Sequence, residues 1–387
     1  MTRFPDRLVE NDHAQTQSLR STKTQSMKPK HLLITTFLLL LAGTLSACAG
    51  GATTASSWPG LFVNGGTAFI AYNTHVYAVD ASNGDEVWRF PAEPDNQITF
   101  YTEPALTPDE QLVVGSYNNV LYSINPDNGT MNWTFTGARN RFVAGPLATE
   151  RGIFAPNADK NVYALDFEGN LRWEFELDSE SWAQPVSDPE CTCLYVTSMD
   201  HTVYALNPES GTLLWRSRDL GGAIVGSPAL SEAGALYVGT FGSAMLALDS
   251  QDGEELWRFP TEGWVWSGPA LSEDRLYFGD LNGYFYAVDA TTGTQAWRIG
   301  SEQLDGPIAG SPLVEEGAIY FTTESGTIYA VDLEGKILWS QPVGGKLYTP
   351  PANPDEIILV TPIETDDLLV ALTKAGAKRW AFNPNPE

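Results

Sequence analysis

The sequence predicts an all-β protein that folds as an eight-bladed β-propeller, with four antiparallel strands in each blade. The 387-residue chain is rich in glycine (35), tyrosine (15) and tryptophan (12), and its apolar residues alternate in short runs separated by turn residues. No long stretch has the apolar spacing of an amphipathic helix. In addition, one short phrase that ends in tryptophan recurs eight times, every 40 to 45 residues. A regular period of this length is typical of propeller blades.

Ahead of the repeats, the chain carries the pattern of an export signal. Lys28 and Lys30 precede an apolar run over residues 32–41, which is shorter than the ~20 residues of a transmembrane helix. The run leads into a sequence that ends in Cys48 and matches a bacterial lipobox, which implies cleavage before Cys48 and its lipidation; the alternative is an ordinary secretory signal with a chance cysteine. We expect a non-native extension over 1–26, a signal peptide over 27–47, a flexible tether over 48–57 and the propeller over 58–383.

The net charge of −26 makes some classes of binding partner unfavourable. A strongly acidic surface repels the phosphates of nucleic acids, so nucleic-acid binding is disfavoured. It also repels anionic lipid, so the membrane link should be the acyl anchor rather than a basic patch. We expect an extracytoplasmic, monomeric propeller in the cell envelope. It would lie at the periplasmic face of the outer membrane in a diderm organism, or on the outer leaflet of the cytoplasmic membrane in a monoderm one.

Each repeat contains four short strands. In the sixth unit they are VWSGPAL, RLYFGD, YFYAVD and QAWRIG. A single blade cannot bury both of its faces, whereas stacking eight blades around an axis does so and limits exposed edges. A large ring at one fixed place in each blade is suited to wedge between neighbours. The predicted blade-docking residues are Trp88, Trp133, Trp173, Trp215, Trp257, Trp297, Trp339 and Trp380.

In most units, the turn before the docking tryptophan carries an Asp or Asn and a glycine at fixed positions. In the first unit Asp80 ends the third strand, where a carboxylate can accept hydrogen bonds from the N–H groups of the turn. Gly84 follows four residues later and can take the positive φ that a tight turn needs. The third, seventh and eighth units have a turn one residue shorter, and the eighth replaces the acid by Thr373.

The phrase Ala-x-Asp/Asn-x-x-x-Gly-x-x-x-Trp resembles the tryptophan-docking repeat of the quinoprotein-type (PQQ-like) propellers over residues ~58–383. It is seen, for example, as Ala78, Asp80, Gly84 and Trp88. Within that family, a lipoprotein with one compact propeller resembles the outer-membrane assembly lipoproteins. That resemblance implies a non-catalytic scaffold whose partners are envelope proteins, such as the barrel-assembly machinery, and no cofactor.

Two other functions stay open at this point. The resemblance also implies a PQQ-dependent dehydrogenase that holds PQQ and Ca²⁺ on the axis, or a ligand-sensing module of a signalling system. The dehydrogenases share a pair of adjacent cysteines and long insertions between blades. Here Cys191 and Cys193 are separated by Thr192, and every period stays between 40 and 45 residues. We therefore predict no catalytic residues.

The sequence offers no clear metal site either. His75 and His201 belong to the first and fourth units, which are not neighbours, so a shared zinc site is not expected. Residues 125–130 lack the full series of calcium ligands and are predicted to be a solvated turn. Cys191 and Cys193 would form a strained ring if bridged, and we favour two thiols without a role.

The positions at which the eight copies differ predict where a partner binds. The first strand of a blade lies nearest the axis and can be aligned on its proline, as at Pro104. Three and five residues before this proline, several units carry aromatic or charged side chains. These would form a rim at one mouth of the axis, although they could instead plug the channel or pack between blades. The candidate recognition surface consists of Tyr101, Arg141, Trp182, Trp264, Trp266, Lys346 and Tyr348.

Overall fold

The computed structural model describes residues 58–190 and 192–385. The predicted extension, signal peptide, tether and lipidation site at Cys48 lie outside these residues, as does Cys191. Residues 58–190 and 192–385 contain no helix with the length and hydrophobicity that a membrane span requires. They form eight antiparallel sheets in chain order, which confirms the predicted eight-bladed β-propeller.

The first four blades use sixteen strands. Blade one contains β1 (Gly60–Asn64), β2 (Thr67–Tyr72), β3 (His75–Asp80) and β4 (Glu86–Phe90). Blade two contains β5 (Ala105–Leu106), β6 (Leu112–Gly115), β7 (Leu121–Ile124) and β8 (Met131–Phe135). Blade three contains β9 (Leu147–Thr149), β10 (Gly152–Pro156), β11 (Asn161–Leu165) and β12 (Leu171–Glu176). Blade four contains β13 (Val186–Ser187), β14 (Leu194–Thr197), β15 (Val203–Leu206) and β16 (Leu213–Arg216).

The last four blades repeat the plan with one irregularity. Blade five contains β17 (Ala229–Leu230), β18 (Ala235–Thr240), β19 (Ala244–Asp249) and β20 (Glu255–Pro260). Blade six contains β21 (Ala270–Ser272), β22 (Arg275–Gly279), β23 (Phe285–Asp289) and β24 (Gln295–Ile299). Blade seven contains β25 (Leu313–Glu315), β26 (Ala318–Thr322), β27 (Thr327–Asp332) and β28 (Ile337–Pro342). Blade eight contains β29 (Ile357–Val360), β30 (Leu369–Thr373) and β31 (Lys378–Phe382), with a single bridge between Ala352 and Leu359 as its innermost position.

The middle strands of the blades supply the core. The second and third strands are almost wholly buried, as in β10 and β11, because both of their faces pack against neighbouring blades. Fourth strands such as β20 and β28 alternate between half-buried and exposed positions, as expected for an outer edge. Eight hydrophobic clusters result, and most of them join side chains of two adjacent blades.

Each docking tryptophan lies against the turn glycine of the next blade. A Cβ added to Gly129 would lie 2.8 Å from the Trp88 ring, and Gly129 has a positive φ of 73°. The Trp88 indole N–H also donates a hydrogen bond to the carbonyl oxygen of Pro126, at 2.9 Å. The same pairing of ring and glycine occurs at all eight junctions. Glycine is therefore required at this point of the turn both for its φ and for the space that the indole occupies.

The turn acid of the first unit acts within its own turn. The Asp80 carboxylate accepts hydrogen bonds from the backbone N–H and the hydroxyl of Ser82, at 2.8 and 2.6 Å. These hydrogen bonds lower the pKa of Asp80 below its usual range. The side chain is thereby committed to the turn rather than to a ligand.

The ring closes by side-chain packing between blade eight and blade one. Neither of these blades contains a strand from the other end of the chain. Trp380 lies over Gly84, where an added Cβ would be 2.6 Å from the indole, and the Thr349 hydroxyl donates to the carbonyl oxygen of Pro59 at 2.6 Å. A shared cluster that includes Leu61 and Leu359 buries the junction. The Trp380 indole N–H is buried without an acceptor among the described residues, whereas the other seven docking indoles each donate to a backbone carbonyl.

Candidate functional site: the axial mouth

The segments that lead into the first strands converge on the axis. The first strands of neighbouring blades contact one another, as β5 and β9 do. The loop between the second and third strands of a blade forms a backbone hydrogen bond with the segment before the first strand of that blade. In blade two the Tyr117 N–H donates to the Thr99 carbonyl at 2.8 Å, and in blade six the Leu281 N–H donates to the Trp264 carbonyl at 2.9 Å. These loops and segments together form one mouth of the axis.

The strand register defines a ring of eight equivalent positions at this mouth. Counting inward from each docking tryptophan across the paired strands places Phe62 in the slot of Ala105, so Trp58 occupies the slot of Tyr101. The whole ring, called here the aromatic ring, consists of Trp58, Tyr101, Val143, Trp182, Val225, Trp266, Ala309 and Tyr348. Five of these eight positions are aromatic.

Trp58 contacts three other members of this ring of eight positions. Its indole centroid lies 5.2 Å from that of Tyr348 and 5.4 Å from that of Tyr101, the neighbours on either side. It also lies 5.5 Å from Trp266, which belongs to blade six. A single side chain reaches rings of three other blades because it leans toward the axis. Contacts of this kind add to the burial of apolar area.

Two loop residues extend the cluster outward. Tyr117 stacks on Tyr101 with centroids 4.6 Å apart, and Phe241 lies 5.0 Å from Trp264 and 5.4 Å from Trp266. Trp264 is 53% exposed although it belongs to this cluster. The mouth therefore presents a large aromatic surface to the solvent, of a kind that marks interaction sites.

The charged members of the predicted surface lie around this cluster. The exposed Arg141 guanidinium lies over the Tyr117 ring, 5.0 Å from its centroid, in a cation–π arrangement. Lys346 forms an ion pair with Glu364 at 3.3 Å. On the same side of the mouth, the Tyr348 hydroxyl donates to Glu324 at 2.7 Å, and burial raises the pKa of this tyrosine.

The structure thus brings together some of the predicted residues and separates others. Tyr101, Trp264, Trp266 and Tyr348 belong to the continuous aromatic cluster, and Arg141 joins it through Tyr117. Trp182 is half-buried and donates its indole N–H to Glu180 at 2.8 Å. Lys346 contributes to an open pocket between blades seven and eight, which is lined by Pro307, Glu324, Ser325, Gly345, Lys346 and Glu364.

Four residues of the mouth were missed by the reasoning from sequence. Trp58 was missed because blade one carries Leu61 where the other units carry the aligning proline. Tyr117 and Phe241 belong to loops that the repeat shows only as turns. Glu103 lies next to the aligning proline, where no other unit has a charge. A count inward from Trp88 would have found Trp58.

A second ring lies two residues further along each first strand. It consists of Gly60, Glu103, Gly145, Gln184, Ser227, Gly268, Ser311 and Pro350. Glu103 is its only charged member. The Glu103 side chain is exposed to solvent, yet it lies at the axis with protein on all sides, and the reduced solvation there raises its pKa to about 7.

The described residues do not fit a bound PQQ with Ca²⁺. Calcium takes six to eight oxygen ligands, and Glu103 is the one carboxylate in its ring. Across residues 58–190 and 192–385, no group of three or more His, Cys, Asp or Glu side chains is arranged to hold a metal ion. The two histidines in this part of the chain are engaged separately: His75 is buried beside Thr74, and His201 lies 3.2 Å from Asp219. We therefore derive no reaction through this cofactor.

Comparison with known proteins agrees with this architecture. A family model described as outer membrane protein assembly factor BamB matches residues 64–193, 199–307 and 281–387. The chain belongs to the BamB family. This membership confirms the predicted resemblance to PQQ-like propellers of the assembly-lipoprotein type.

Individual relatives of this BamB family member are distant. BamB from Shewanella oneidensis is 24% identical over 290 residues, which is 70% of this chain and 69% of that protein. Tetrathionate hydrolase from Acidithiobacillus ferrooxidans is 24% identical over 284 residues, which is 66% of this chain and 52% of the hydrolase. The chain thus spans about half the length of some curated relatives that it matches. The crystal structure of BamB from Moraxella catarrhalis superposes with a TM-score of 0.67 at 15% identity, covering 80% of this chain and 92% of that one, and so shows the shared fold.

Proposed function

We propose that this BamB family member is a non-catalytic, lipid-anchored scaffold of the cell envelope, which binds a protein partner through its axial mouth. Its role would resemble that of BamB in outer-membrane protein assembly, with the barrel-assembly machinery as partner. The observation that carries the proposal is the exposed aromatic surface around Trp264, flanked by Arg141. Aromatic side chains and arginine are the residues that most often dominate binding energy at protein interfaces.

The charge of the molecule also supports a specific contact at this mouth. In a chain of net charge −26, the positive groups Arg141 and Lys346 stand at the rim of the aromatic cluster. Charged groups at a rim mainly guide the approach and orientation of a partner, while the apolar centre supplies affinity. The relatives of this chain include a protein named as an enzyme and proteins named as assembly factors. The scaffold role is preferred because the family model that matches this chain is described as an outer membrane protein assembly factor.

Replacing Trp264 and Arg141 together by alanine is expected to abolish capture of the partner while leaving the fold intact. Trp264 is half-exposed and Arg141 is exposed, so their removal costs little packing. The measurement is cross-linking in the native envelope followed by identification of the proteins recovered. The matched control replaces Leu256, which is also 53% exposed and lies on β20, and the exposed Arg218, which follows β16. Recovery of the same partners by the Trp264 and Arg141 double variant would refute the proposed surface.

The anchoring part of the proposal is tested separately at Cys48. Lipid on this residue would hold the protein to membranes, since a lipidated cysteine with two or more acyl chains binds a bilayer stably. A Cys48→Ser variant is expected to move from the membrane fraction to the soluble extracytoplasmic fraction. The measurement is fractionation with immunoblotting. Retention of the variant in the membrane fraction would mean that something other than acylation holds the protein there.

A further inference from the structure

Glu103 is a carboxylate without a partner at the centre of the propeller. It follows Tyr101 by two residues and therefore lies one step deeper than the aromatic ring. The side chain forms no hydrogen bond or ion pair with any of residues 58–190 and 192–385. The protein that surrounds it raises its pKa, and no neighbouring charge contributes to that shift. The side chain is nevertheless exposed to solvent, so a cation that enters the axis can reach it.

Solvent reaches this carboxylate, since the Glu103 side chain is exposed. Gly145 of the next blade packs closely against the Glu103 backbone: a Cβ added there would lie 2.9 Å from the Glu103 carbonyl oxygen and 3.5 Å from the Glu103 Cβ. The Gln184 amide itself donates to the Pro146 carbonyl at 2.8 Å, so it is not directed to Glu103. The ring at this level thus places one acid among glycine, serine and glutamine.

The walls above Glu103 suit an organic cation. Trp58, Tyr101, Trp266 and Tyr348 surround the approach from the mouth, and indole and phenol faces attract cations. We infer that the axial mouth is a binding site for a lysine or arginine side chain of a partner protein, whose cationic group passes the aromatic ring and pairs with Glu103. This inference rests on the proposed function and gives its partner a stated chemistry.

Other occupants fit these contacts less well. A metal ion would need several oxygen ligands, and Glu103 is the one carboxylate of its ring. An anion would be repelled by Glu103 and by the acidic chain as a whole. A neutral aromatic group would stack on the rings but would leave the carboxylate unpaired. Trp58 precedes β1 and packs on Tyr101, Trp266 and Tyr348, so entry of a side chain requires its ring to move aside.

The direct test uses the full chain and N-acetylarginine amide, with N-acetylcitrulline amide as the uncharged control of the same shape. The four tryptophans outside the docking slots, Trp58, Trp182, Trp264 and Trp266, all lie at the mouth, so intrinsic fluorescence reports binding. We expect saturable binding of the arginine compound and none of the citrulline compound. A Glu103→Gln variant should lose about tenfold or more in affinity, while the control variant Glu254→Gln, at an exposed turn of blade five, should keep it. Equal binding by Glu103→Gln and the wild type would overturn the inference.

The pH dependence gives a second readout. With a pKa of about 7, Glu103 gains its charge as the pH rises, so affinity should increase about tenfold between pH ~6 and pH ~8. The other charged groups at the mouth include Arg141, Asp159, Glu180, Asp280, Glu324, Lys346 and Glu364. Tyr101, Tyr117 and Tyr348 have pKa values raised by burial. Glu103→Gln retains all of them. Loss of the pH dependence in this variant supports the inference, and its persistence contradicts it.

Capture of the partner separates this inference from the proposed function. If Glu103→Gln weakens partner recovery at least about fivefold, as loss of a charged hydrogen bond predicts, the inference is supported. If Glu103→Gln recovers the partner normally while the Trp264 and Arg141 double variant does not, the inference fails and the proposed function stands. If the double variant also recovers the partner normally, the proposed function fails.

Discussion

Replacing Trp257 by alanine should lower the free energy of unfolding by about 3 kcal/mol or more, the cost usual for truncating a packed tryptophan. The indole lies between blades five and six, with its centroid 5.8 Å from that of Tyr237. A Cβ added to Gly293 would lie 2.6 Å from the ring, so no space separates the two blades here. Its N–H donates to the Ala290 carbonyl at 2.9 Å. Truncation therefore opens a cavity between blades and removes a hydrogen bond.

The neighbouring residue provides the control for this substitution. Leu256 lies on the same strand and is 53% exposed, so Leu256→Ala should change the free energy of unfolding by about 0.5 kcal/mol or less. Urea denaturation followed by circular dichroism measures both variants. The Ala290 carbonyl keeps its hydrogen bond from the Tyr237 hydroxyl at 3.1 Å, so the loss is mostly one of packing. Similar costs for the two variants would show that the docking tryptophan does not hold the blades together.

The fold could be predicted because each repeated residue acts locally or on the next blade. Asp80 bonds within its turn, Gly84 supplies a positive φ, and Trp88 packs on the following turn. Such contacts recur with the sequence period and need no knowledge of the rest of the ring. The junction that closes the ring shows the limit of this reasoning. Trp380 repeats the tryptophan, but its N–H has no acceptor among the described residues, since the last junction joins opposite ends of the chain.

The axial mouth could be predicted only in part. The alignment on proline identified Tyr101, Trp266 and Tyr348, because equivalent positions of a repeat meet at the axis. Whether these three rings belong to one cluster depends on the direction of each side chain. They do so because Trp58 contacts all three. The property that distinguishes Glu103 is its position at the axis without a neighbouring cation, which arises from the convergence of several blades. No single repeat contains that information.

Replacing Gly253 by alanine should destabilise the protein by about 3 kcal/mol, because two costs combine. Gly253 has a φ of 77°, in the left-handed region that costs an L-residue roughly 1–2 kcal/mol. The added methyl group would also lie 2.7 Å from Cε3 of Trp215. The indole cannot easily retreat, since its N–H donates to the Ser250 carbonyl at 3.0 Å. Forcing a methyl group into such a contact costs about 1–3 kcal/mol.

Gly317 separates these two costs. Its φ of 81° is close to that of Gly253, but a Cβ added to Gly317 meets nothing within 4 Å. Gly317→Ala should therefore show the backbone cost alone, roughly 1–2 kcal/mol, and the difference between the variants measures the contact with the indole. Chemical denaturation of both proteins gives that difference. If Gly253→Ala costs no more than Gly317→Ala, the turn glycine serves only the backbone, and the docking tryptophan would tolerate any small residue beneath it.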